Sequence, residues 1–169
     1  MEIVSPDLLT LARLRGNIPV MAALDGSPRG FSQLADALDL SRDTLSRSLK
    51  ALQPKWVRHA GDYRLTAAGT KIAPVCGGIL ELAVRIRQKE VLLRRWTLPV
   101  AAALRHWSLH FGELRAMLPG ITPRALTLAL KEMAEAGLVA REIEMSFPPS
   151  AIYRLTGAAE RLLPLIGRI

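Results

Sequence analysis

Arg42, Thr44, Ser46, Arg47 and Lys50, all within the stretch Ser41–Leu52, carry the clearest chemistry in the chain. They lie off the apolar face made by Leu45, Leu49 and Leu52, so a helix here presents them together on its outer side. Arginine can donate two hydrogen bonds to the edge of a guanine, and serine or threonine can bond phosphates or bases. The same side chains would also suit a solvated helix face.

A second stretch, Ile121–Val139, repeats the arrangement with cleaner boundaries. Thr122 suits an N-cap, Pro123 the first helical position and Gly137 the residue just past the end. Leu126, Leu130 and Met133 form its buried face, leaving Arg124, Thr127, Leu128 and Lys131 outside. Leu128 stands where Arg47 stands in the first stretch, and Glu132 and Glu135 oppose phosphate, so the first stretch is the stronger candidate. An exposed leucine fits a thymine methyl or a protein contact equally well.

Arg58, His59 and Arg64 follow the first stretch, and Arg141 and Arg154 the second, in positions suited to gripping a phosphate backbone or to solvated strands. Thr122 joins the second set as the residue opening its helix. His106 and His110 are four apart, but no carboxylate or Cys completes a metal ligand set. The lone Cys76 reads as a small buried residue. Trp56, Trp96 and Trp107 read as packing residues. With no glycine-rich phosphate loop, nucleophile motif or paired carboxylates, enzyme chemistry and cofactors find no support.

The elements that must position these side chains follow from comparing the chain with itself. Ile18–Leu34 aligns without gaps on Leu98–Leu114 at an offset of 80, placing Pro19 on Pro99, Phe31 on Phe111 and Leu34 on Leu114. With one inserted residue Ser41–Leu52 falls on Thr122–Met133, and Tyr63–Thr66 and Tyr153–Thr156 both read YRLT. Order and spacing are kept, which is the mark of an internal repeat. Each copy reads as a leucine-rich first helix (about Pro6–Leu24, broken near Gly16–Pro19, and about Val91–Arg105) and a short second helix (near Ser32–Leu38 and Gly112–Leu118) entered through a core-plugging Phe31 or Phe111. The third helix carries the residues above. The spacing is that of a helix-turn-helix.

After the third helix the period shifts from 3.6 to 2. Trp56–Arg58 and Tyr63–Leu65 flank a tight turn at Gly61, and Leu138–Glu144 and Ala151–Leu155 flank the longer, proline-containing loop Met145–Ser150. Each hairpin is a wing. A helix of about Ala67–Leu93 then joins the copies, with Ile72, Val75, Ile79, Leu82, Ile86 and Leu93 on one stripe and a kink or break expected at Pro74 or Gly77-Gly78. Without a flexible linker, the copies are expected in fixed relation.

Trp96–Pro99, Phe111–Leu114, Leu118–Thr122, Leu126-Thr127, Leu130-Lys131, Ala136–Val139 with Arg141, and the second YRLT together resemble the HxlR-type winged-helix transcriptional regulators, relatives of the MarR type. The resemblance covers about Arg95–Leu163; the first copy matches more loosely and lacks the Trp and the Gly-Leu-Val turn. Members resembling this chain pair as homodimers of single units through their terminal helices and bind operator DNA. The resemblance therefore implies a mainly α fold with small β-hairpin wings: two tandem winged helix-turn-helix domains, residues 1–80 and 81–169, arranged as a pseudo-dimer and joined by a long helix.

Composition agrees with a polyanionic partner. The formal charge is +8, with 13 basic and 8 acidic residues in 1–89 and 10 and 7 in 90–169, so the excess is spread rather than held in a tail. The start MEIVSPDLLTLARLRG has no signal-peptide pattern, and the apolar run Ile72–Leu80 is ended by Glu81, short of the roughly 18 residues a membrane span needs. The resulting expectation is a bacterial, cytoplasmic, nucleoid-associated regulator that reads double-stranded promoter or operator DNA with helices 41–52 and 122–136 in the major groove. It would act as a homodimer or a monomeric pseudo-dimer, with RNA polymerase or another regulator as a further partner class. The competing readings are a tandem winged-helix protein adaptor and a plasmid or phage replication initiator.

Overall fold

A computed structural model describes residues 3–169; Met1 and Glu2, part of the reading of the chain's start, lie outside the described residues. Helices α1 (Pro6–Arg13), α2 (Asn17–Ala23), α3 (Phe31–Ala37) and α4 (Arg42–Leu52) lead into the hairpin β1 (Val57–Ala60) and β2 (Asp62–Leu65), followed by α5 (Ala67–Arg85). A similar order follows: α6 (Lys89–Leu92), α7 (Thr97–Ala103), the short β3 (Leu109–His110), α8 (Phe111–Met117), α9 (Pro123–Glu135), the hairpin β4 (Val139–Glu144) and β5 (Ser150–Leu155), α10 (Gly157–Glu160) and α11 (Leu163–Ile166).

The helix ends obey local chemistry. Ser41 Oγ accepts from the Thr44 N–H at 3.2 Å and Thr122 Oγ1 from the Ala125 N–H at 3.1 Å, so both third helices start where their N-caps place them. Gly137, at φ 70°, supplies the left-handed residue that ends α9. Gly61, at φ 77°, does the same for the β1–β2 turn, whose strands approach closely enough that Ala60 pairs with Asp62.

The two segments share hydrogen bonds as well as order. The Asn17 N–H donates to the Leu14 carbonyl, and at the same offset Thr97 donates to Arg94. Gln33 Oε1 accepts from the Gly30 N–H at 2.8 Å, and Glu113 Oε2 from the His110 N–H at 2.7 Å. Arg29 pairs with Tyr63, and Leu109 with Tyr153, so the residue two before each phenylalanine adds an edge to its hairpin. The threonine of each YRLT donates its hydroxyl at 2.6 Å to a carbonyl just before the first hairpin strand, Lys55 O or Gly137 O.

A single apolar cluster runs through both segments. Helix α1 packs on α7, and α11 packs on α5 and α7. Gly78 permits the α5–α11 contact: a Cβ there would lie 2.9 Å from Leu165 Cδ2.

Several expectations need correction. The joining helix ends at Arg85, because Arg87 takes φ 57° and the Arg87 and Gln88 N–H groups turn back to Val84 and Ala83; α6 then resumes separately. Pro74, on the exposed side of α5, does not break it. The stripe is buried at Val75, Ile79, Leu82 and Leu93 but only half-buried at Ile72 and Ile86. The leucine-rich first helices are each two pieces, α1 with α2 and α6 with α7. Phe31 and Phe111 are half-buried lids at the first helical position, not core plugs. Contrary to the apolar-run estimate, α5 at 19 residues and mean hydropathy 1.3 is long and apolar enough to cross a membrane by length and composition; here it is a packing helix against α2 and α11, with Lys71, Glu81 and Arg85 on its exposed side.

Candidate nucleic-acid interface

Burying Leu45, Ser48, Leu49 and Leu52 turns the rest of α4 outward. Arg42, Ser46 and Lys50 follow one another at intervals of four along a single exposed stripe. The Arg42 guanidinium lies 5.0 Å from the Phe31 ring, which holds its stem while leaving its donors to solvent. Arg47 is exposed and pairs with Asp43 at 2.7 Å, one turn back. Thr44 is half-buried, its hydroxyl accepting from Ser41 at 2.8 Å, so it serves the start of the helix more than its outer face.

On the hairpin beside it Arg58 and Arg64 are cross-strand partners and share one face. Arg58 is exposed and Arg64 half-buried, with a buried Nε that has no hydrogen-bond partner among the described residues. The His59 ring stacks on Tyr63 with centroids 4.4 Å apart. Among the described residues Arg42, Lys50, Arg58 and Arg64 have no carboxylate partner.

The second set is differently occupied. Arg124, Thr127, Leu128 and Lys131 are all exposed on α9, as their spacing implies. Thr127 donates its hydroxyl to the Pro123 carbonyl at 2.9 Å, and Lys131 pairs with Glu135 at 3.9 Å. Arg154 is held by Glu142 at 2.7 Å across the hairpin. Arg141 is exposed opposite Tyr153, beside a hollow walled by Phe111, Thr127 and Leu130. Of the basic groups on this helix and its wing, Lys131 and Arg154 are thus paired with carboxylates, whereas Arg124 and Arg141 have none among the described residues.

Leu128 does not stand alone on the helix surface. With Leu93, Trp96 and Ala125 it lines a groove of about 400 Å³ between α9 and the α6–α7 turn. The self-alignment places Gly16 opposite Trp96, and there the groove is closed: a Cβ on Gly16 would lie 2.4 Å from Ser48 Oγ. The sequence difference was visible, but its consequence depends on how closely α4 and α9 approach the preceding turn. Sequence reasoning missed this groove, and it missed the full exposure of Met145 and Phe147 at the tip of the β4–β5 hairpin.

Trp56 is buried as expected and Trp96 half-buried, but Trp107 is 70% exposed, because the loop after α7 carries it outside the core. His106 and His110 do not share a helix. His106 lies in that loop, while His110 caps α8, its Nδ1 3.1 Å from the Ala151 carbonyl and its Nε2 3.3 Å from Glu144. Among the described residues no cluster of three potential metal ligands occurs. Cys76 is fully buried, and burial, helped by the charge of Asp25, pushes its thiol up to about 12.

A capped helix-turn-helix carrying a basic outer stripe, followed by a two-stranded wing, defines a winged-helix regulator. Residues 91–169 match the HxlR-like helix-turn-helix family, and residues 6–87 match a different family model, the HVO_A0261 N-terminal domain. An uncharacterized HTH-type transcriptional regulator of Methanothermobacter thermautotrophicus is 33% identical over 72 residues, covering 43% of this chain and 55% of the relative. The HTH-type regulator YvaP of Bacillus subtilis is 32% identical over 80 residues, covering 47% of this chain and 74% of its own length. A solved regulator from Porphyromonas gingivalis W83, assigned to the MarR family, is 30% identical, covers 50% of this chain and 81% of its own, and superposes with a TM-score of 0.46. The chain belongs to the HxlR-like helix-turn-helix family of transcriptional regulators. It spans about half the length of the Methanothermobacter relative and about three quarters of YvaP.

Proposed function

We propose that the chain regulates transcription by binding double-stranded DNA, with α4 in the major groove and the β1–β2 wing on the backbone. The observation that carries this reading is the set Arg42, Lys50, Arg58 and Arg64, basic groups on a helix-turn-helix and its wing that no carboxylate neutralises among the described residues. Arginine and lysine so placed gain affinity by releasing counterions from phosphates, and arginine can add a guanine contact. Arg47 is available by exchanging Asp43 for a base or phosphate, an exposed pair that costs little to break.

The two segments are, in this proposal, tandem winged helix-turn-helix domains forming a pseudo-dimer within one chain. The repeated hydrogen bonds around Asn17/Thr97, Gln33/Glu113 and Thr66/Thr156 support a duplication, and the α1–α7 and α5–α11 contacts support a fixed arrangement. The second reading helix, with Thr122, Arg124, Thr127 and Lys131, and its wing Arg141 make the lesser contribution, because Glu135 and Glu142 sit among their basic groups.

An electrophoretic shift series on duplex DNA separates the two helices. Arg47→Ala is expected to weaken binding by about 1–3 kcal/mol if it reads a base, and Leu128→Ala by less. The reverse order would reject α4 as the main reader.

A further inference from the structure

Two hollows lie where the segments meet, and the offset of 80 relates one to the other. The first, of about 240 Å³, has Arg15, Asp39, Lys89, Glu90 and Leu93 in its wall. The second, of about 180 Å³, is lined by Leu9, Thr10, Arg13, Arg95, Trp96 and Pro119. The offset carries Arg15 to Arg95 and Asp39 to Pro119, and it carries Leu9, Thr10 and Arg13 to Lys89, Glu90 and Leu93. Each hollow is thus built from turns of one segment and the opening helix of the other, with the roles reversed.

Their charges differ. The first hollow has two basic and two acidic residues in its wall, and Glu90 closes on Arg15 at 3.0 Å. The second has Arg13 and Arg95 and no acidic residue, because Thr10 stands where Glu90 stands and Pro119 where Asp39 does. Neither arginine has a carboxylate partner among the described residues. The Arg95 guanidinium lies 4.9 Å from the Trp96 ring, which steadies its plane and leaves its edge for an acceptor. Thr10 offers no proton, since its hydroxyl donates to the Pro6 carbonyl at 2.9 Å. The donors around this hollow are therefore the two guanidinium groups, and like charges sharing a site favour an anion between them.

We propose that the second hollow binds an oxyanion, a carboxylate or phosphate group, held by Arg13 and Arg95 as Glu90 is held by Arg15. The first hollow supplies the precedent, a carboxylate of the chain itself at the related position. At about 180 Å³ the second is smaller than a typical ligand pocket, so it takes the charged group and leaves the rest of the ligand outside. Arg13 lies in the last turn of α1 and Arg95 just before α7, so the anion ties the first segment to the second, as the Arg15–Glu90 pair does at the related hollow. The oxyanion comes either from a free acid or from the backbone of a bound duplex. Binding of free phosphate here does not depend on the reading of α4.

Titration of the full chain with inorganic phosphate tests it, without DNA and at an ionic strength held constant with chloride, following the arginine Nε–H and Trp96 indole signals by NMR. The expected result is a saturable response whose dissociation constant rises about tenfold or more in Arg13→Gln and in Arg95→Gln, both at exposed positions. Thr10→Glu should abolish the response with the melting temperature unchanged or raised, because it supplies the carboxylate internally. Absence of any saturable response would overturn the proposal. So would a response that survives Thr10→Glu or is the same in both arginine variants, which would mean an adventitious ion only. Once phosphate binding is established, the salt dependence of duplex binding separates the sources. A logarithmic slope lower by about 1 in Arg13→Gln assigns the oxyanion to the DNA backbone, and an unchanged slope assigns it to a free acid.

Discussion

Cys76 shows how a residue without a part in binding can still report on the fold. Its thiol is fully buried on α5, and desolvation raises it from the ordinary 9.0 to about 12. A folded chain therefore holds this proton at pH values where the unfolded chain has released it. The stability it contributes is complete below about pH 9 and is lost as pH climbs from 9 to 12. Denaturant melts across that window should fall more steeply with pH in the wild type than in Cys76→Ala. Parallel slopes would mean the thiol titrates normally. At the same scale, the exposed identities of Arg42, Ser46, Arg47 and Lys50 were legible because Leu45, Leu49 and Leu52 fix the buried face by their spacing. Their partners were legible only in part: Asp43 stands one helical turn before Arg47, so spacing alone offers that pair, whereas Glu142 meets Arg154 only through the hairpin register.

Among the elements, the third helices and the hairpins were the most readable, since Ser41, Thr122, Gly61 and Gly137 mark their ends by backbone chemistry that needs no tertiary help. The end of α5 was not. Its apolar stripe continues through Ile86 toward Leu93, and only the left-handed turn at Arg87 breaks the periodicity. Element packing also explains the asymmetry between Gly16 and Trp96. Ser48 is fully buried against Gly16, and its hydroxyl has no hydrogen-bond partner among the described residues. Gly16→Ala should destabilise the chain by about 1–3 kcal/mol in a thermal or denaturant melt, because its Cβ would press on Ser48. Combining it with Ser48→Ala should recover part of that loss, and no recovery would mean the strain comes from the Leu40 Cδ1 and Ser48 Cβ contacts, at 3.1 and 3.2 Å, that remain.

For the whole molecule, the likeness of the two segments was legible in the offset of 80 and in the two YRLT segments, whereas the contacts that fix the segments were not. No periodicity announces that Gly78 receives Leu165 or that the Val4 N–H reaches the Met117 carbonyl at 3.1 Å. These contacts join both segments into one apolar cluster. In the proposed arrangement they stand where separate subunits would otherwise meet, leaving α4 and its wing as the more basic face and the α9 side as the more apolar one.

The most direct test of that division of labour is the salt dependence of duplex binding by the full chain, wild type against Lys50→Ala and Lys131→Ala. The expected result is strong, salt-sensitive binding whose logarithmic slope drops by about 1 when Lys50 is removed and changes less when Lys131 is removed. Absence of salt-dependent binding to any duplex, even at low ionic strength, would contradict DNA binding itself, and a larger drop for Lys131 would move the reading face to α9.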